Sequence, residues 1–246
     1  MADQGSRLGL ATALVAVALV LIPLGRGEAA EPVRLGYVEF PPFTYTDSEG
    51  AAQGSLIEMV GKVAADAGVL LAFTGAPADR LFRAIADGSL NLFMGVTSPR
   101  EFVGTTLVGD SVVARIELDA YAMDETPAVH RPEDLAGRSV IVIKGYSYNG
   151  WRPFLEDPAN AIIRLEVDSA EQALSALRGR RGQVLLEYTL PMRLALAGRT
   201  LPNLKSTQIS VVDAHFVLSK RTPDAAAVLA RLEASFKRLR EAGALP

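Results

Sequence analysis

The sequence predicts an α/β protein with mostly parallel sheets. Strand patterns and helix patterns alternate through most of the 246-residue chain, which is typical of sheets flanked by helices. The same order of strands, loops and helices occurs on each side of a polar stretch at residues 124–132, without a residue-by-residue repeat. With 49% hydrophobic and 22% charged residues, the chain can form one large or two modest globular units.

Short apolar runs bounded by Gly, Pro or polar residues predict the strands. These runs lie at residues 33–40, 90–96, 116–123, 138–143, 161–167, 184–187 and 215–219. Because helical patterns separate many of these runs, we expect mainly parallel strands joined by helices.

Capping residues predict where the helices begin and end. Ser55 and Glu58 have the spacing of a capping box, and the helix that they open should stop at Gly68. Asp79 is the predicted N-cap of a shorter helix, with Gly88 as its left-handed C-terminal residue. Further helix starts are predicted at Thr97-Ser98-Pro99, at Asp168-Ser169, near Pro191 and after Pro223.

Charge and residue usage exclude several classes of function. The 25 Lys and Arg residues and the 28 Asp and Glu residues give a net charge of −3 and a pI near 5.5. Binding to nucleic acid through phosphate neutralisation is therefore not expected. The chain has no Cys and only two His residues, His130 and His215, which lie far apart in the sequence. We therefore expect no metal site and no cofactor.

The first thirty residues differ in character from the rest of the chain. Arg7 precedes an uncharged apolar run at residues 8–25, and the small residues Gly27 and Ala29 suit cleavage after Ala29. This pattern is typical of a secretory signal peptide over residues 1–29, although the apolar run is also long enough for an uncleaved anchor. The sequence thus predicts a protein that works outside the cytoplasm.

Six segments of the chain carry a family resemblance. They read VRLGYVEFPPFTYTDSEG, GSLIEMVGKVA, LFRAIADGSLNLFMGVTSPRE, DLAGRSVIVIKGYS, SAEQALSALRGRRGQVLLEY and HFVLSKRTPDAAAVLARLEASFKRL. In this order and spacing, the chain resembles the family 3 periplasmic solute-binding proteins, the extracytoplasmic receptors of polar amino acid ABC transporters.

The resemblance implies a periplasmic binding protein type II clamp. Two α/β lobes, each a mostly parallel sheet flanked by helices, would be joined by two strands. Lobe 1 would comprise residues 30–117 and 214–246, and lobe 2 residues 118–213. The resemblance implies a binding protein and not an enzyme. Such a protein is a monomer that closes around a small polar solute, an amino acid or a small organic anion, and presents it to the membrane subunits of an ABC permease.

Arg100 is the candidate for binding a carboxylate. A guanidinium group offers two parallel hydrogen bonds to such a ligand, and a helix starting near Thr97 would add free backbone N–H groups. The resemblance implies the same role and places Gly95 and Thr97 beside the ligand, although this chain has two fewer residues before the arginine than the family usually has. The alternatives are a surface arginine paired with Glu101, and an ordinary turn and N-cap at Gly95 and Thr97.

Four more ligand-binding residues are implied by the resemblance. Phe40 matches the aromatic residue that flanks the solute. Tyr146 and Ser147 lie in the turn that carries a hydroxyl group facing a carboxylate, with Ser in place of the more usual Thr. Glu187 matches the acidic residue that pairs with an α-ammonium group. The alternatives are a core position for Phe40 and a surface carboxylate at a strand end for Glu187.

Two other functions are open to lobes of this kind. One is a periplasmic dehydratase-like enzyme acting on prephenate-like acids, in which Glu187 or His215 would serve as the acid. The other is a ligand-binding or accessory subunit of a periplasmic sensor or oxidoreductase. His215 also suits a structural role, since it lies where the chain is expected to return to lobe 1.

Overall fold

The structure is a computed structural model that describes residues 31–124 and 126–245. The predicted signal peptide, residues 1–29, lies outside the described residues. The strands are β1 Val33–Tyr37, β2 Tyr45–Thr46, β3 Ala52–Gln53, β4 Leu71–Gly75, β5 Leu92–Gly95, β6 Thr106–Val108, β7 Ala114–Met123, β8 Ser139–Ile143, β9 Ile163–Val167, β10 Val184–Tyr188 and β11 Leu204–Ser219. The α-helices are α1 Ser55–Ala67, α2 Ala78–Asp87, α3 Arg152–Glu156, α4 Ala170–Arg178, α5 Thr189–Leu196 and α6 Ala225–Glu241.

The strands form two lobes that share β11. Nine strands join in the order β4-β1-β5-β11-β7-β10-β8-β9, with β6 pairing to β11. In the first lobe, β1 is parallel to both β4 and β5. In the second lobe, β8 is parallel to both β9 and β10. The two lobes therefore repeat one arrangement of parallel strands, as the sequence predicted.

Two long antiparallel strands connect the lobes. The pairing of β7 with β11 runs from Leu204 opposite Met123 to Ala214 opposite Ala114, with an irregularity between Gln208 and Ser210. Beyond Ala214, β11 continues into the first lobe and pairs with β5. The strand predicted at residues 215–219 is thus only the end of a 16-residue strand. Its first half was missed because polar and half-exposed residues replace the apolar run that marks a buried strand.

Each lobe has its own apolar core beneath helices. In the first lobe, Leu35 of β1 and Phe216 of β11 pack with Val60 of α1 and Leu232 of α6, and all four side chains are fully buried. In the second lobe, Ile141 of β8 packs with the helices on one face of the sheet, and a second buried cluster lies on the other face. Removal of this apolar surface from water is the main stabilising contribution in both lobes.

Local sequence chemistry explains most helix ends. The helices α1 and α2 end at Gly68 and Gly88 with left-handed φ values of 63° and 82°, which confirms both predicted stops. The side chain of Ser169 accepts a hydrogen bond from the backbone N–H of Gln172, which confirms the predicted N-cap of α4.

Three predicted helix N-caps are wrong. Gly54, not Ser55, is the N-cap of α1, and no side chain caps that end. A Cβ atom at Gly54 would lie 2.4 Å from the carbonyl oxygen of Phe43, and φ is 117°, so this turn needs glycine. Asp79 lies inside the first turn of α2, where it pairs with Arg83 at 2.7 Å. The helix expected after Thr97-Ser98-Pro99 is a single 3₁₀ turn, Arg100–Phe102.

The helices of the described segments are all too short or too polar to cross a bilayer. Across the same residues, no group of three or more His, Asp or Glu side chains has the arrangement of a metal site.

Candidate functional site

A cavity of about 140 Å³ lies between the two lobes, and we call it the cleft. Its lining comes from both lobes and is made of sixteen residues. They are Gly36, Tyr37, Val38, Phe40, Thr44, Leu56, Phe93, Met94, Gly95, Val96, Ile116, Gly145, Tyr146, Ser147, Asn149 and Tyr188. Many of them follow the carboxyl ends of β1, β5, β8 and β10, which is the edge where ligands bind to parallel sheets.

Aromatic contacts join the lobes across the cleft. The ring of Phe40, in the loop after β1, meets the rings of Tyr146 and Tyr188 edge to face, with centroids 5.2 and 4.7 Å apart. Phe43 stacks on the opposite side of Phe40 at 4.9 Å. Edge-to-face and offset aromatic pairs at these distances are favourable beyond simple area burial. The loop after β1 is therefore held directly against the second lobe.

The wall that the second lobe contributes is a tightly anchored loop. Tyr148 is fully buried, and its hydroxyl accepts a hydrogen bond from the backbone N–H of Ile143. Asn149 has a left-handed φ of 52°, and its amide donates to the hydroxyl of Ser210 at 2.6 Å. Because Ser210 lies on β11 next to the irregularity, this bond ties the cleft wall to a connecting strand.

Four of the residues predicted for the site line the cleft. They are Phe40, Gly95, Tyr146 and Ser147. At Gly95, an added Cβ atom would lie 2.2 Å from the ring of Phe93, so the glycine gives that ring its space. Their roles in ligand binding stay predictions.

Arg100 and Thr97 lie outside the lining of the cleft. The Arg100 side chain is 95% exposed, and its Nε lies 3.6 Å from the carboxylate of Glu101. Thr97 is also exposed. A single 3₁₀ turn follows Pro99 in place of the predicted helix, so the row of free N–H groups expected beside Arg100 is not formed. A role of Arg100 in binding a carboxylate stays a prediction.

Glu187 lies beneath the second-lobe wall and is fully buried. One carboxyl oxygen accepts a hydrogen bond from the backbone N–H of Tyr188 at 2.7 Å. The other oxygen is buried and has no hydrogen-bond partner among the described residues. Burial raises the pKa of Glu187 to about 8, and the negative charge of Glu171 acts in the same direction. At neutral pH, Glu187 therefore holds its proton.

Asp119 lies opposite Glu187 in the pairing of β7 with β10. Unlike Glu187, Asp119 has side-chain hydrogen-bond partners for its buried carboxylate. It accepts hydrogen bonds from the hydroxyls of Tyr121 at 2.9 Å and Thr189 at 2.8 Å. Burial and the adjacent Asp119 charge together raise the pKa of Tyr121 well above its usual range. This pair is not predictable from the sequence, because Asp119 lies within an apolar run.

A wider cavity of about 630 Å³ adjoins the cleft, and we call it the vestibule. It shares Tyr37 and Gly145 with the cleft. Glu39 of the first lobe and Lys144 of the second lobe line it, and Lys144 forms an ion pair with Asp168 at 2.8 Å. Charged side chains are thus present at the outer cavity and absent from the lining of the cleft.

Two lining residues that the sequence did not single out are Tyr188 and Asn149. The sequence predicts a strand that ends at Glu187, yet Tyr188 is the last residue of β10. The available signal was its place at the carboxyl end of a parallel strand, where ligands bind in such sheets. The residues after β1 and β8 share that place.

Comparisons with known proteins support the fold. No protein-family model matches the chain, and no curated protein matches it. Among solved structures, the GluR0 ligand-binding core in complex with L-glutamate is 17% identical with a TM-score of 0.64, covering 87% of this chain and 96% of that one. A histidine kinase sensor domain with similarity to periplasmic binding proteins is 17% identical with a TM-score of 0.62, covering 86% and 91%.

A third similar structure is the substrate-binding protein of an amino acid ABC transporter. It is 16% identical with a TM-score of 0.59, and the match covers 87% of this chain and 95% of that one. At this level of identity, the similarity concerns the fold. The chain has the two-lobed α/β fold of periplasmic binding proteins, which confirms the fold class predicted from the sequence.

Proposed function

We propose that this protein is an extracytoplasmic solute-binding receptor that closes around a small polar solute and presents it to the membrane subunits of an ABC permease. One observation carries the proposal: the cleft is lined by side chains of both lobes, with Phe40 on one side and Tyr146 and Tyr188 on the other. A solute that contacts both lobes binds the closed form more tightly than the open form. Binding therefore shifts the population toward the closed form, which a permease can recognise.

The similar structures support a binding role of this kind. One is named as the substrate-binding protein of an amino acid ABC transporter, and another was solved with L-glutamate. The proposal includes a cleaved signal peptide at residues 1–29, a periplasmic location and a monomer. Lobe 1 would be residues 30–117 and 214–246, and lobe 2 residues 118–213.

The placement of the candidate acids favours binding over catalysis. Glu187 is fully buried and does not line the cleft. The Nδ1 atom of His215 lies 3.0 Å from the carbonyl oxygen of Gly109, and His215 does not line the cleft either. A general acid must come within hydrogen-bond reach of the group that it protonates. Neither residue meets that requirement in this arrangement of the lobes.

A sensor partner is the second candidate. The similarity to a histidine kinase sensor domain is the observation that favours it. A receptor and a sensor would use the same cleft. They would differ in the membrane protein that recognises the closed form.

A thermal-shift screen of the exported protein tests the binding role. The panel contains amino acids, organic acids, amines and neutral amides. A solute at about 100 times its Kd should add roughly 2.7 kcal/mol to the stability of the folded state. Small-angle scattering with the best solute should then show a smaller radius of gyration. Failure of every solute would contradict the receptor role, and binding without compaction would contradict the closing motion.

Uptake by cells separates the two partners. Deletion of the gene should reduce uptake of the identified solute if an ABC permease depends on this protein. Unchanged uptake would contradict the permease partner and favour the sensor.

A further inference from the structure

The lining of the cleft is uncharged. None of its sixteen residues is Asp, Glu, Lys, Arg or His. Arg100 is turned to solvent, and Lys144 lines the vestibule rather than the cleft. A charged solute group inside the cleft would therefore lose its hydration without meeting a counter-charge. That loss is far larger than the gain from contact with neutral side chains.

The buried carboxyl group next to the tyrosines of the second-lobe wall is neutral. Glu187 is near enough to Tyr146, Tyr148 and Tyr188 that its ionised form raises the pKa of each. At neutral pH, however, Glu187 is protonated, because burial raises its pKa to about 8. The other buried carboxylate of this region, Asp119, accepts hydrogen bonds from Tyr121 and Thr189 and does not line the cleft. Behind the cleft wall, therefore, Glu187 offers no negative charge to attract a cation.

The size and surface of the cleft favour a flat, uncharged solute. Its volume of about 140 Å³ is close to that of an apolar cavity known to hold benzene, about 150 Å³. Aromatic rings from Phe40, Tyr146 and Tyr188 line it, and such rings pack well against another flat ring. Two of the polar side chains in the lining are already engaged, since the Thr44 hydroxyl donates to the carbonyl oxygen of Val38 and the Asn149 amide donates to the hydroxyl of Ser210.

We propose that the cleft takes an uncharged, flat solute of about the size of a substituted six-membered ring, with one or two hydrogen-bonding atoms. This proposal rests on the proposed receptor function and narrows its solute class. Amino acids and organic anions, which the resemblance implied, would be excluded from the cleft because they carry a charge.

Three probes of equal ring size and different charge test this proposal: benzamide, benzoate and benzylamine. Calorimetric titration of the exported protein at pH 7 measures binding of each. We expect benzamide to bind at least tenfold more tightly than either charged probe, since only it enters without an unpaired charge. Tighter or equal binding of benzoate or benzylamine would overturn the proposal.

A matched pair of variants links benzamide binding to the cleft. Phe40 and Phe154 are both half-buried, but Phe154 lies on α3 and does not line the cleft. Phe40→Leu should weaken benzamide binding at least fivefold, and Phe154→Leu should leave it unchanged. Melting curves confirm that both variants are folded. Equal effects of the two substitutions would overturn the assignment to the cleft.

The outcomes separate this proposal from the receptor function. If an amino acid or organic anion binds while benzamide does not, the uncharged solute class is wrong and the receptor function stands. If the probes and the whole thermal-shift panel fail to bind, the receptor function itself fails.

Discussion

The substitution Glu187→Gln should remove a strong pH dependence of stability. Burial raises the pKa of Glu187 from 4.5 to about 8 in the folded protein. Between these two values, the folded state holds a proton that the unfolded state has released. The free energy of unfolding therefore falls as pH rises through this window, and the loss is complete above the folded-state pKa. Glutamine occupies the same volume and carries no proton that titrates.

The size of the effect follows from the width of the window. Each pKa unit corresponds to about 1.4 kcal/mol of unfolding free energy, so the full difference between the two pKa values contributes roughly 5 kcal/mol. Solvation of the denatured state and relaxation around the carboxyl group make this an upper value. Between pH 5 and pH 7.5, the stability of Glu187→Gln should therefore rise relative to wild type by roughly 3 kcal/mol.

Urea unfolding at several pH values, followed by the fluorescence of the single tryptophan, Trp151, measures this difference. Glu58→Gln is the matched control, because Glu58 is exposed on α1. Its stability relative to wild type should not vary over the same pH range. A difference between Glu187→Gln and wild type that is the same at pH 5 and pH 7.5 would refute the reasoning. It would show that water reaches the carboxyl group, either directly or when the lobes open.

Four other substitutions test the packing and the hydrogen bonds around the cleft and the helices. Gly95→Ala should cost about 1–3 kcal/mol in urea unfolding, because the new Cβ atom displaces the ring of Phe93; an unchanged midpoint would show that the ring moves freely. Ser169→Ala should cost about 1 kcal/mol through loss of the α4 N-cap, and an equally stable variant would contradict that cap. Asn149→Ala and Ser210→Ala should each cost about 1 kcal/mol. Additive losses in the double variant would argue against a direct bond between these two residues.

The sequence was most informative where local chemistry decides the structure. Gly68 and Gly88 end helices in the left-handed conformation that glycine adopts easily, and Ser169 caps a helix with its own hydroxyl. The capping box at Ser55 failed for a tertiary reason. The turn before α1 approaches the backbone of Phe43 so closely that Gly54 occupies the N-cap.

The candidate site was predictable where strand ends decide position. Phe40, Gly95 and Tyr146 lie at or just after the ends of parallel strands, and the fold brings those ends together. The position of Arg100 depends instead on whether a helix or a 3₁₀ turn follows Pro99, and no local signal separates the two. The burial of Glu187 likewise depends on side chains distant in the sequence.

Because Ala114 pairs with Ala214, one continuous stretch of the gene encodes the second lobe. The chain leaves the first lobe and returns to it at directly opposed positions of one antiparallel ladder, whose Cα atoms lie about 5 Å apart. The intervening hundred or so residues therefore form an insert whose two ends lie side by side. A tight turn could replace that insert without stretching the flanking chain. We therefore expect that the second lobe can be exchanged as a unit between proteins of this fold, while β1, β4, β5 and the end of β11 keep their pairing.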